Sequence, residues 1–177
     1  MNMLFKCSQL LIDGTFKSCP RTFLQIIHIA GFYPDINGII PIFIILTTSK
    51  SEFIYKNIFD DFKKLLMEYG FNVRDIPKRI MLDFEKGLIN AVKEKFSNSI
   101  IDGCFFHFSK LLWSKAKYLG MCNKKEIGKT KLLMFILKLI PFMKLDNREE
   151  FFRNVEQYFS NSEEKHKKWY YILKKIG

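Results

Sequence analysis

Apolar positions follow two rhythms along the chain. Up to about residue 48 they fall in short runs separated by clusters of Gly, Pro, Asn and Asp. Later they recur mostly at three- and four-residue spacing. Residues 4–17 read as a first strand, with Asp13 near its end, and residues 22–30, rich in Ile and Phe, as a second. The loop at 32–38 carries Pro34, Asp35, Asn37 and Gly38. Residues 39–48 form a third run, so continuously apolar that burial on both faces is expected. Pro41 must then sit near its start or at an irregularity. Ser49, Lys50, Ser51 and Glu52 fit a capping box opening a helix. That helix carries Phe53, Tyr55, Ile58, Phe59, Phe62, Leu65, Leu66 and Tyr69, most of them at the spacing of one apolar face, and is ended by Gly70. After Pro77, residues 80–84 read as a fourth strand and 85–96 as a helix with Leu88, Ile89, Val92 and Phe96 inward. A fifth strand lies within 98–106. From there the pattern is helical, over 108–119, 124–140, 147–159 and 163–176.

Three leading strands on short loops predict an antiparallel meander, and the later strand–helix–strand steps require parallel crossovers. The expected architecture is α/β: a mixed five-stranded sheet with helices on both faces, followed by an all-helical region. Residues 1–107 would form the core and 108–177 the helical part. In such a sheet the fourth strand can pair beside the first, which would make Asp13 and Asp83 neighbours. A carboxylate at the carboxyl end of a buried strand, with a helix starting behind it, presents an acid at the sheet edge.

Composition narrows the classes. The hydrophobic content of 48% excludes a disordered chain. The net charge is +11, and residues 108–177 hold sixteen Lys and Arg against seven Asp and Glu. Positive charge gathered there suits a phosphate backbone or another anionic surface, although the wealth of Phe, Ile, Lys and Asn is also what AT-rich coding produces. Cys7, Cys19, Cys104 and Cys122 form no CxxC pair and read as reduced thiols of an intracellular protein. No apolar run reaches the roughly 20 residues a membrane span needs.

Each polar candidate has a plain alternative. Asp13-Gly14 is also a hairpin-turn signal. Glu85 is placed to favour the positive end of the helix behind it, a structural role. His28, alone within a strand, reads as a packed or edge residue.

Five segments in order resemble a known family. They are Asp13-Gly-Thr-Phe-Lys17 followed by Pro20; residues 23–31, FLQIIHIAG; residues 41–55, PIFIILTTSKSEFIY; residues 83–91, DFEKGLINA; and residues 103–113, GCFFHFSKLLW. Together they are similar to the Mutator-like (MULE) branch of the DDE transposases, in the ribonuclease-H-like superfamily, over about residues 9–120. The resemblance implies a metal-dependent DNA strand-cleavage and strand-transfer domain, with Asp13 and Asp83 as its first two catalytic acids. It implies Mg²⁺ or Mn²⁺ as cofactor, and DNA and further transposase subunits as partners. No membrane is expected, and the location would be the nucleus in a eukaryote. Cys104 and His107 match the family's C-x-x-H motif. Zinc is not expected there, since structural zinc takes four ligands and neither Cys122 nor His166 completes a recognised spacing. Lys110, Lys115 and Lys117 are the candidate DNA contacts. The third acid of the family follows a helical insertion. Among Glu149, Glu150, Glu156, Glu163 and Glu164 none has its context, and Glu156 is the least implausible substitute. The expectation is a fragment with two of three acids, inactive alone. The competing reading is a transposase-derived remnant that binds nucleic acid or protein without catalysis.

Overall fold

A computed structural model describes residues 6–72, 76–125 and 127–159. The chain forms two compact units, Met1–Cys104 and Phe105–Gly177.

The first unit is built on strands β1 (Gln9–Thr15), β2 (Gln25–Tyr33), β3 (Gly38–Thr47), β4 (Arg79–Leu82) and β5 (Ile100–Gly103). Helix α1 (Glu52–Glu68) follows β3 and helix α2 (Lys86–Lys95) follows β4. The sheet order is β3-β2-β1-β4-β5. The first three strands pair antiparallel. β4 then joins β1 in parallel, and β5 joins β4 in parallel. Asp13 and Gly14 lie inside β1, opposite His28 and Ile27, so no hairpin turn forms there.

Alternation along the strands sends Leu10, Ile12, Ile27, Ile29, Ile80 and Leu82 into one core with Tyr55, Phe59, Phe62 and Leu66 of α1 and Leu88, Ala91 and Val92 of α2. Within this unit both helices therefore cover the same face, where the sequence pattern pointed to helices on both. The outermost strand, β3, also departs from expectation. Ile39, Ile44 and Leu46 are exposed, so its apolar run is buried on one face only. Pro41 sits opposite Ala30, beside a register shift after Ile29. That placement is permitted because an edge strand has a side free of ladder bonds.

Helix α1 is capped by Ser51, not Ser49. The Ser51 hydroxyl accepts from the Ile54 amide, while the Ser49 hydroxyl accepts from the Ser51 amide. Glu52 closes no capping box. Its carboxylate receives Lys56 and the Asn90 amide, tying α1 to α2. The Lys56 and Asn90 contacts hold its pKa below the usual carboxylate range. Gly70 ends α1 with φ of 80°, and the Phe71 amide donates back to the Leu66 carbonyl.

The second unit contains α3 (Phe105–Tyr118), α4 (Ile127–Leu137) and α5 (Arg148–Phe159). Leu112, Ala116, Met121, Leu133, Met134, Leu137 and Val155 form its core. The buried Thr130 hydroxyl donates to the Met121 carbonyl at 2.7 Å, which satisfies both groups. The helix expected at 163–176 lies outside the described residues.

Candidate active site

β1 is the middle strand of the sheet, and its last in-register pair with β4 is Ile12 with Leu82. The next residue on each chain is an aspartate. Asp13 and Asp83 therefore leave neighbouring parallel strands side by side, at the carboxyl edge of the sheet. Asp13 is exposed and shares its alternation with Leu11 rather than with the buried Leu10 and Ile12. Asp83 is partly buried, and its Oδ1 accepts the Phe84 amide at 2.6 Å as the chain turns towards α2. The ring of Phe84 then lies against Gly103. A Cβ at that position would come within 2.6 Å of the ring, so the turn after β4 is seated directly on the end of β5.

Beneath the carboxyl edge runs a buried polar chain. Gln25 opens β2 and Tyr55 lies on α1, and both are almost fully buried. The Gln25 Nε2 donates to the Tyr55 hydroxyl at 2.7 Å, and that hydroxyl donates to Glu85 Oε1 at 2.9 Å. Burial pushes the Tyr55 hydroxyl above its ordinary range, and the charges of Glu85 and Asp83 push the same way. Glu85 stands at the cap position of α2 but makes no side-chain cap bond. Its carboxylate thus stands at the positive end of α2 and bonds there to Tyr55 rather than to a first-turn amide. Tyr55 itself reads in the sequence as one more apolar-face aromatic. The signal for this chain was Gln25, a long polar side chain in a strand otherwise made of Ile, Ala, Gly, His28, Phe and Tyr.

Within the sheet, Asp102 of β5, in register with Met81, accepts from Gln9 Nε2 at 2.9 Å and from Arg79 Nε and Nη2 at 3.0 and 2.7 Å. This acid is consumed in clamping β1, β4 and β5 together.

The other sequence candidates distribute as follows. Cys104 belongs to the first unit, where its amide donates to the Leu82 carbonyl. His107 lies in the first turn of α3 in the second unit, edge-on to Phe106. Among the described residues no three His, Cys, Asp or Glu side chains gather as a metal cage. His166 lies outside them. On α3, Lys110 and Lys117 are exposed and two turns apart on one face. Lys115 lies about 140° around the helix from Lys110, with its ammonium 4.9 Å from the centre of the Tyr118 ring. Glu156 is exposed on α5 in the second unit. Glu163 and Glu164 lie outside the described residues.

A mixed sheet of this strand order, with one aspartate on its middle strand and another at the end of the parallel neighbour, is that of a ribonuclease-H-like protein. The model of the MULE transposase domain matches residues 9–111, from the first residue of β1 into α3. The chain belongs to the MULE transposase domain family. A search of curated proteins finds no match.

Proposed function

We propose that this is the catalytic domain of a DDE-type DNA transposase, in which Asp13 and Asp83 hold divalent cations against the DNA backbone. The observation that supports this reading is the Ile12–Leu82 register, which brings the two aspartates out together at one sheet edge. Two carboxylates offer only hard oxygen donors, and these suit Mg²⁺ or Mn²⁺, which bind through one or two carboxylates and complete their shells with water and substrate phosphate. Bound there, such cations would lower the pKa of an attacking water or hydroxyl and neutralise charge on the leaving oxygen. The chain's own contribution is placement. The Phe84 amide fixes the orientation of the Asp83 carboxylate, and the Asp102 clamp holds β4 against β1.

The alternative, a remnant that binds DNA or protein without cutting, draws on one observation. No third metal-ligating side chain joins the pair among the described residues. Both readings are tested by Mn²⁺ binding together with nicking of supercoiled plasmid in Mg²⁺ and in Mn²⁺. The expected result is Mn²⁺ binding lost in Asp13→Asn and Asp83→Asn, with nicking by the chain alone orders of magnitude below that of a complete three-acid site. Binding indifferent to both substitutions would refute the metal site. Robust nicking abolished by Asp83→Ala would refute the remnant and require a third acid from elsewhere on the chain, Glu156 included.

A further inference from the structure

We infer that Gln25 and Tyr55 are positioning residues that hold Glu85 as an outer acid of the Asp13–Asp83 site, with its Oε2 placed to accept from a water on the bound cation. The inference rests on the metal-site reading above. The starting observation is the side-chain bond of Glu85: at the cap position of α2, where the short side chains of Ser, Thr, Asp and Asn are the usual caps, its carboxylate makes no cap bond and accepts the Tyr55 hydroxyl.

The direction of that chain is determined by its donors. Gln25 Nε2 can only donate, so it occupies an acceptor position of the Tyr55 oxygen. The single hydroxyl proton is then committed to Glu85 Oε1. Turning the Gln25 amide over would give Tyr55 two acceptors and one proton, so the arrangement is self-consistent in one sense only. Glu85 Oε2 makes no hydrogen bond among the described residues, and the side chain is only half-buried. Glu85 follows Asp83 by two residues, in the turn that leads from β4 into α2, so the two carboxylates leave the same short segment. Burying Gln25 and Tyr55 merely to fill the core would be unfavourable, because apolar residues of similar volume pack there without desolvating polar groups. Among the described residues no three His, Cys, Asp or Glu side chains gather closely enough to ligate an ion directly. On this inference Glu85 meets the cation through water, as is usual for groups that orient a metal's inner ligands.

The test is Mn²⁺ affinity of the full chain, read by electron paramagnetic resonance. Glu85→Gln and Tyr55→Phe should each weaken binding about tenfold, the lower end for loss of an outer partner. The double variant should be no weaker than Glu85→Gln alone, because Tyr55 acts through Glu85. Tyr55→Phe strands the Gln25 amide, so Tyr55→Phe/Gln25→Leu is measured as well. It should recover the melting temperature and leave affinity weakened. Wild-type affinity in Glu85→Gln alongside loss in Asp83→Asn would overturn this inference and leave the metal site standing. Additive losses in the double variant, or affinity recovered with stability in the apolar pair, would overturn the positioning role. Affinity unaffected by Asp83→Asn would overturn both readings.

Discussion

Gly14→Ala probes the buried polar chain from the strand side. Gly14 follows Asp13 on β1, and a Cβ built there would lie 2.9 Å from Gln25 Oε1. Ordinary van der Waals contact begins near 3.4 Å, so the amide must retreat by roughly half an ångström. It has no room to do so freely: Gln25 is 0% exposed and is anchored to Tyr55 at 2.7 Å. The retreat lengthens or breaks that bond inside the core, and a buried polar group left without its partner costs about 1–3 kcal/mol. Replacing a strand glycine by alanine returns about 0.5–1 kcal/mol of backbone entropy. The net expectation is about 1–2 kcal/mol of destabilisation. At about 4–8 °C per kcal/mol for a unit of this size, the loss in melting temperature is roughly 4–16 °C. Urea unfolding followed by circular dichroism measures the free-energy loss, and a thermal melt measures the shift in melting temperature. The control is the same substitution in a Gln25→Ala background, where the obstacle is gone and Gly14→Ala should be neutral or mildly stabilising. A neutral Gly14→Ala in the wild-type background, or an equal cost in both backgrounds, would refute the reasoning.

Three further outcomes are expected. Ser51→Ala removes the cap bond to the Ile54 amide and should cost about 1 kcal/mol in the same urea assay. Burial holds Tyr55, Tyr33 and Cys7 protonated above their ordinary ranges. The unfolded chain releases these protons first, so stability should fall as pH rises above about 8.5 for the thiol and about 10 for the phenols, by about 1.4 kcal/mol per pH unit per group. Tyr55→Phe should flatten the decline above about pH 10 in unfolding curves taken at stepped pH. DNA binding, measured by fluorescence anisotropy across a salt series, should weaken steeply with salt. Lys110→Ala/Lys117→Ala should reduce the slope of log K against log salt by about 2 units, whereas Lys115→Ala, whose ammonium lies by Tyr118, should change it little.

The sheet was largely legible in the sequence, because connection lengths separate an antiparallel meander from parallel crossovers. An aspartate near the end of an apolar run singled out Asp13 and Asp83 as candidates, and the register sets them on neighbouring strands, although β1 runs on to Thr15. Helix placement was less legible: β3 has the same continuous apolar run as a two-sided strand, and only its outermost position shows that Ile44 and Leu46 face outward. Glu85 was placed correctly at the start of α2, but its partner was not visible. Tyr55 is thirty residues upstream, and helical spacing reports which face a tyrosine occupies, not where its hydroxyl ends. Asp102 was missed for a similar reason, since a lone acid in a short strand gives no sign of the Arg79 that binds it. The three lysines of α3 shared one run of sequence but, at 3.6 residues per turn, not one face.

The strand order also sets a timetable for folding. β1, β2 and β3 are joined by short connections and can zip together locally, and such nearby pairings form early because little chain entropy is lost in closing them. The pairing of β1 with β4 joins Leu10 to Ile80, across the whole of β2, β3 and α1. Asp13 is in place once the meander has formed, but Asp83 arrives only with that long-range closure. The two carboxylates thus become neighbours at a late step of assembly. Until then the two aspartates are apart, and on the metal-site reading proposed above, cation binding would serve as a kinetic reporter of the completed sheet.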